Sequence, residues 1–172
     1  NLDPQCVACH WGEAWALGSY LNGAMSEAKA PLALEAAQNA KKLAKKHGSE
    51  LEKALVEAIQ SRYVKDYDPE SRALQDTAYA KAMEKVYQQY PDHHEVATIY
   101  AEALFLLEPR KGTRDVADPD VVRLHKVLEK VLDKDIEHPG ACHLYIHATE
   151  SSQKPELAAS CADYLGSTIP GA

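Results

Sequence analysis

Apolar residues recur along this chain at intervals of three and four almost from end to end, and no stretch alternates as a strand would. The pattern predicts helices joined by short turns. Asp3-Pro4 opens the first helix, which runs to about Leu17 and closes at Gly18 as a C′ glycine closes one. Residues 19–30 read as an irregular connection around the turn dipeptide Asn22-Gly23. A second helix starts near Pro31, repeats Leu32, Ala36, Ala40, Leu43 and Ala44, and ends at Gly48. Ser49-Glu50-Leu51-Glu52 spells a capping box for a third, whose buried stripe is Leu51, Leu55, Ala58 and Ile59. Asp68-Pro69 begins a fourth, with Leu74, Ala78, Met83, Val86 and Tyr87 facing inward and Pro91 as its stop. Residues 94–107 form the fifth, rich in apolar residues and therefore expected to be the most buried. After a charged loop at 108–118, Asp118-Pro119 starts the sixth through Val122, Leu124, Leu128 and Leu132. The seventh carries residues 143–150, and the eighth runs from Lys154-Pro155 to about Leu165-Gly166.

Eight short helices with short connections imply an all-α protein of stacked antiparallel hairpins, the α-solenoid plan. A loose internal repeat supports hairpins of tetratricopeptide (TPR) type, which place small residues at the helix crossing and a proline at the turn to the next unit. Tyr79-Ala80, Met83, Val86 and Pro91, followed by Ala97, Tyr100-Ala101 and Leu104, fit that layout. The segment from Leu132 through His138-Pro139 to Thr149 repeats it, and Gly12 and Trp15 take the small and aromatic places of a first helix. The hairpins vary in length and the strict 34-residue consensus is absent, so the repeats are degenerate. The 172 residues are expected to form a single helical-repeat domain.

Composition agrees. Hydrophobic residues make up 45% and charged residues 26%, with Ala and Leu prominent and a single Phe, which suits close helix-on-helix packing. The net charge of −7 and pI of about 5.6 argue against nucleic acid, whose binding needs a clustered basic face. The one basic run, Lys41, Lys42, Lys45, Lys46 and His47, falls at a helix C-terminus, where it complements the dipole. No apolar run approaches the roughly 20 residues that span a bilayer. The chain opens on Asn1-Leu2-Asp3-Pro4 with neither an initiator Met nor a signal peptide, and is expected to be a mature or excised piece.

Two constellations carry candidate chemistry. His143, His147 and Glu150 fall at i, i+4 and i+7 on one helical face, and two imidazoles a turn apart are a recurring metal-ligand geometry. A divalent ion such as zinc is the candidate occupant; the alternative is that both histidines bond to a neighbouring hairpin. Leu144 stands where a zinc-protease helix carries its general base, which excludes that reaction. At the other end Cys6-Val7-Ala8-Cys9-His10 spells C-x-x-C-H, the covalent haem c pattern with His10 as axial ligand. Three readings stand there: haem, a disulfide within the pair or to another cysteine, and a zinc site with distant histidines. Cys142 and Cys161 are spaced for an intra-hairpin bridge, subject to geometry. His93-His94 reads as a solvated pair, and Trp11, Trp15, Tyr79, Tyr87, Tyr90 and Tyr100 as fillers of hairpin seams. With no phosphate loop and no Ser/His/Asp pattern, the residues lean away from an enzyme.

Asp3-Pro4-Gln5-Cys6-Val7-Ala8-Cys9-His10-Trp11-Gly12-Glu13-Ala14, then Leu17-Gly18, Asn22 and Met25, resembles the start of a group of bacterial tetratricopeptide-repeat proteins. So does His138-Pro139-Gly140-Ala141 with His143-Leu144-Tyr145-Ile146-His147-Ala148 and Glu150. The resemblance spans essentially the whole chain and implies no settled enzymatic activity. Cys142 stands where that group usually has Asn, Ser19 where it has Pro, and His10 where it often has an aromatic residue. Relatives continue past a Pro-Gly-Ala like Pro170-Gly171-Ala172 into another His-rich segment, so this chain is expected to be the N-terminal part of a longer protein. The expected role is a scaffold for protein–protein interaction or self-assembly in the periplasm or outside the cell. The competing expectations are a haem c electron carrier on Cys6, Cys9 and His10, and a metal-dependent enzyme on His143, His147 and Glu150.

Overall fold

The computed structural model of the chain describes residues 3–108 and 113–169. Among them it is all-helical, with eight α-helices and no strand beyond two isolated bridges, Tyr20–Gly23 and Arg114–Ser152. Among the described residues, no helix is long and apolar enough to cross a membrane. Two compact units divide the chain, residues 1–89 and 90–172. Part of the charged 108–118 loop, and Pro170-Gly171-Ala172, lie outside the described residues.

The first unit contains α1 (Val7–Leu17), α2 (Ala30–His47), α3 (Glu50–Ile59) and α4 (Arg72–Gln89). Each helix packs on the next, and α1 also reaches α3. An alanine stripe on α2 (Ala33, Ala36, Ala37, Ala40, Ala44) is buried throughout, so the helices pack closely without large side chains between them. Val7, Ala40, Ala44 and Val56 form a core cluster, closed by Trp11 and Leu43. The Trp11 indole donates to the Leu55 carbonyl at 3.2 Å, and the Tyr63 hydroxyl donates to Ala14 O. Arg62, itself buried, donates to Ser19 O and lies 4.8 Å over the Tyr79 ring.

Sequence patterning places most ends correctly and some faces wrongly. The capping box forms as expected: Ser49 Oγ accepts from Glu52 N–H, and Glu52 accepts from Ser49 N–H. α1 starts at Val7 rather than at Pro4, because Cys6 N–H closes a turn onto Asp3 O and Cys6 becomes the N-cap. Gly18 does end α1, but with φ −72° and ψ −174° it is extended rather than left-handed. Its requirement is steric: a Cβ there would lie 2.5 Å from the Tyr63 hydroxyl. Leu32 on α2 is exposed, and Val56 replaces Leu51 and Leu55 as the buried centre of α3. On α4, Leu74 is 72% exposed and Ala78 is exposed, whereas Asp76, Tyr79, Ala80, Met83 and Val86 face inward. An ion pair between the buried Asp76 and the half-buried Arg72 explains the shifted face. Asp76 takes Arg72 at 2.6 Å, a polar contact that an apolar periodicity does not register. Before α4, Pro69–Ser71 forms a 3-10 turn capped by Asp68.

The second unit contains α5 (His94–Phe105), α6 (Pro119–Leu132), α7 (Pro139–Thr149) and α8 (Ala159–Thr168). Again each helix packs on the next, and α5 also meets α7. α5 is buried from Val96 to Phe105 apart from Ile99, as its composition predicts. The inward face of α6 is Val121, Leu124, His125, Val127, Leu128 and Val131; Val122 and Leu132 are only half-buried. α8 is preceded by a 3-10 turn at Pro155–Ala158 and continues through Gly166.

Candidate functional site

All four cysteines are paired, Cys6 with Cys9 and Cys142 with Cys161, and none is free. The second bridge ties α7 to α8 across a sequence separation of 19, with both cysteines buried at 0% and 2% exposure. The first spans a separation of only three at the start of α1, where Cys9 is exposed and Cys6 half-buried. Cys9 N–H donates to Cys6 Sγ at 3.1 Å, as an N-cap acceptor receives a first-turn donor. In this oxidised state neither sulfur is a thiol that could add to a haem vinyl group. His10, the axial ligand of the haem reading, sits 3.6 Å from Glu13.

The histidine helix brings its three residues together. A Pro at the first position of α7 and His138 at its N-cap start the helix, with His138 Nδ1 accepting from Ala141 N–H at 3.2 Å. Within α7 the His143 and His147 rings lie 4.8 Å apart, centroid to centroid. Glu150 Oε1 is 2.6 Å from His147 Nδ1, a contact that orients that ring. Burial holds the His143 imidazole below its ordinary pKa; the neighbouring His147 pushes the same way and Glu150 opposes. Neutral imidazole is the metal-binding form, so this shift suits a ligand. Among the described residues, however, no group of three or more His, Cys, Asp or Glu side chains is placed to hold a metal ion.

Three supporting residues escape the sequence reading. Arg114, from the loop before α6, donates to the carbonyls of His147 and Ala148 at 2.7 and 3.3 Å and stacks 4.7 Å over Phe105. It thereby closes the C-terminal end of α7, next to Glu150. His125 is buried on α6 with Nε2 3.4 Å from Ala148 O and its ring edge-on to Tyr145 at 5.4 Å. Its burial depresses the imidazole pKa, with the Ala148 carbonyl working against that shift. Tyr145 donates to Glu129 at 2.7 Å, and burial together with that carboxylate raises its phenol well above the usual range.

Of the His93-His94 pair, expected in solvent, His93 is exposed and His94 half-buried, and both also make structural contacts. His93 caps α5, with Nδ1 accepting from Val96 N–H at 3.5 Å. His94 packs 6.1 Å from His138 and lies 3.8 Å from Asp135. Tyr79 and Tyr100 do fill the interior, whereas Trp15 is 37% exposed and stacks on Trp11 at 6.2 Å. Compared with protein-family models, with curated proteins and with solved structures, the chain matches none.

Proposed function

We propose that this chain is a helical-repeat scaffold of tetratricopeptide type, serving protein–protein interaction or self-assembly in an oxidising compartment such as the periplasm or the extracellular space. One observation carries the reading. In each unit the helices pack on their successors, and the first helix of one hairpin also packs on the first helix of the next, α1 on α3 and α5 on α7. Nearest-neighbour packing of that kind is what a repeat array requires, and such arrays use their end faces and concave surfaces for partners. Two disulfides in 172 residues fit a compartment where thiols are oxidised. The test is sedimentation velocity from micromolar to hundred-micromolar protein, with cross-linking of the chain in its native source. Concentration-dependent assembly, or a cross-linked protein partner, is expected. A monomer at every concentration with no cross-linked protein refutes the scaffold.

A second reading has its own observation. The paired rings of His143 and His147, with Glu150 on Nδ1 of His147, reproduce the carboxylate–imidazole arrangement that orients metal ligands. His143 and His147 would hold a divalent ion such as zinc, and further ligands would come from water or a partner. Equilibrium dialysis against zinc should give one ion per chain, lost on His143→Ala. Retention of the metal in that variant removes the reading.

A further inference from the structure

We infer that the Cys6–Cys9 bridge is a redox-active disulfide that takes two electrons from a dithiol partner, while Cys142–Cys161 is the structural one. The two bridges share a chemical formula and differ in everything that controls exchange. Exchange requires a thiolate to reach a sulfur. Cys142 and Cys161 are closed to solvent, whereas Cys9 is exposed. Its surroundings are open as well: Ala8 beside it is small and exposed, and at Gly12, one turn on, a Cβ would meet nothing within 4 Å.

Position supplies a leaving group. Cys6 is the N-cap of α1, and its sulfur already accepts the Cys9 N–H. A thiolate formed at Cys6 would keep that donor and face the positive end of an eleven-residue helix with no acid in its own first turn. Two carboxylates oppose this: Glu52 reaches across from α3 to accept from Ala8 N–H, and Asp3, three residues before Cys6, accepts from Gln5 N–H at 2.9 Å. Structural need is also slight, because a separation of three closes a segment that α1 and its cap turn already order.

The step balances as follows. One thiolate of the partner dithiol attacks Cys9 Sγ, forming a mixed disulfide and breaking the Cys6–Cys9 bond, and Cys6 leaves as thiolate. The partner's second thiolate then attacks the partner sulfur of that mixed disulfide and releases Cys9. The partner ends as a disulfide, and its two thiol protons end on Cys6 and Cys9. Two electrons have moved to this chain.

The experiment uses the unmodified chain. It is equilibrated over a dithiothreitol series without denaturant, quenched by alkylation, and mapped by mass spectrometry, with circular dichroism recorded in parallel. The Cys6–Cys9 pair should be half reduced at a dithiothreitol concentration at least tenfold below that needed for Cys142–Cys161, with the helical signal unchanged. In stopped-flow the same pair should react with dithiothreitol at least tenfold faster than glutathione disulfide does. For the order of attack, the oxidised chain is reacted with glutathione and acid-quenched early, and the mixed disulfide should map to Cys9 rather than Cys6. Reduction of both pairs together, reduction of Cys6–Cys9 only in denaturant, or a rate no better than that of glutathione disulfide overturns the inference. So does a native-source mass higher by one haem, which would assign both sulfurs to thioether bonds. A glutathione mixed disulfide on Cys6 overturns the stated order of attack.

Discussion

Replacing both cysteines of each bridge by alanine, one bridge at a time, should separate a structural staple from a dispensable one. In the chain-entropy account a bridge stabilises by shrinking the unfolded ensemble, and the effect grows with the logarithm of the loop it closes. For the separation of 19 between Cys142 and Cys161 this gives about 3.2 kcal/mol at 25 °C, and for the separation of three between Cys6 and Cys9 about 1.6 kcal/mol. A loss of 3.2 kcal/mol in a unit of this size corresponds to a fall in Tm of roughly 13 to 26 °C. Burial widens the gap, because alanine at Cys142 and Cys161 also leaves a small void in a closed interior.

The positions of the tryptophans make the assay clean. Trp11 and Trp15 both lie in the first unit, so their emission follows that unit in guanidinium, while far-UV circular dichroism follows all eight helices. Cys142→Ala with Cys161→Ala should move the dichroism transition and leave the tryptophan transition in place. Cys6→Ala with Cys9→Ala should shift tryptophan emission by about half as much in free energy. The same difference bears on exchange chemistry, since 1.6 kcal/mol alone separates the two reduction potentials by roughly 35 mV. A Cys142/Cys161 variant within about 1 kcal/mol of the parent, or the opposite ranking, would refute the assignment of roles.

Three further outcomes test the packing and electrostatics. His125 is held neutral by burial, so below its ordinary pKa of 6.5 the unfolded chain binds the proton that the folded chain resists; stability of the second unit should fall as pH drops from 7 to 5. His125→Gln should flatten that slope without abolishing it, because His143 is shifted the same way, and an unchanged slope in chemical denaturation would refute the assignment. Ser49→Ala removes the acceptor for Glu52 N–H and should cost the first unit about 1 kcal/mol by tryptophan-detected unfolding. Gly18→Ala would press a methyl against the hydroxyl of Tyr63, which holds Ala14 O, and should cost about 1–3 kcal/mol in the same measurement; a neutral result would show that Tyr63 yields freely.

Much of the fold is legible along the chain because capping and helix propensity act within a few residues. Ser49 and Glu52, Asp118 before Pro119, and the Gly48 stop are local signals, and each marks a real helix end. Faces are less legible, because they depend on what lies opposite. Leu74 falls on the apolar stripe of α4 but points outward, since Arg72 and Asp76 pair on the inward turn and Arg62, from the turn after α3, covers Tyr79. Polar residues recruited to the interior, such as His125 and Arg62, break the apolar period without weakening the packing. Arg114 gives no signal at all: a loop arginine becomes a cap for α7 only once the fold brings it to the carbonyls of His147 and Ala148.

The candidate chemistry divides along the same line. The i, i+4, i+7 spacing suffices to place His143, His147 and Glu150 together, because a single helix fixes all three, and the structure adds only which nitrogen the carboxylate takes. Additional metal ligands would be long-range contacts, and spacing is silent about those. C-x-x-C-H is different, since the same five letters serve haem attachment, metal binding, a staple or an exchangeable disulfide. Exposure and helix position suit the last of these. Cys6 caps α1 and Cys9 faces solvent, so their bond lies where a thiolate can arrive and where the sulfur it displaces has a donor waiting. Cys142 and Cys161 have neither access nor a short loop, and the energy that makes that bridge a strong constraint also makes it a poor electron acceptor. A chain bearing one bridge of each kind can therefore cycle the first between oxidised and reduced forms while the second holds α7 to α8.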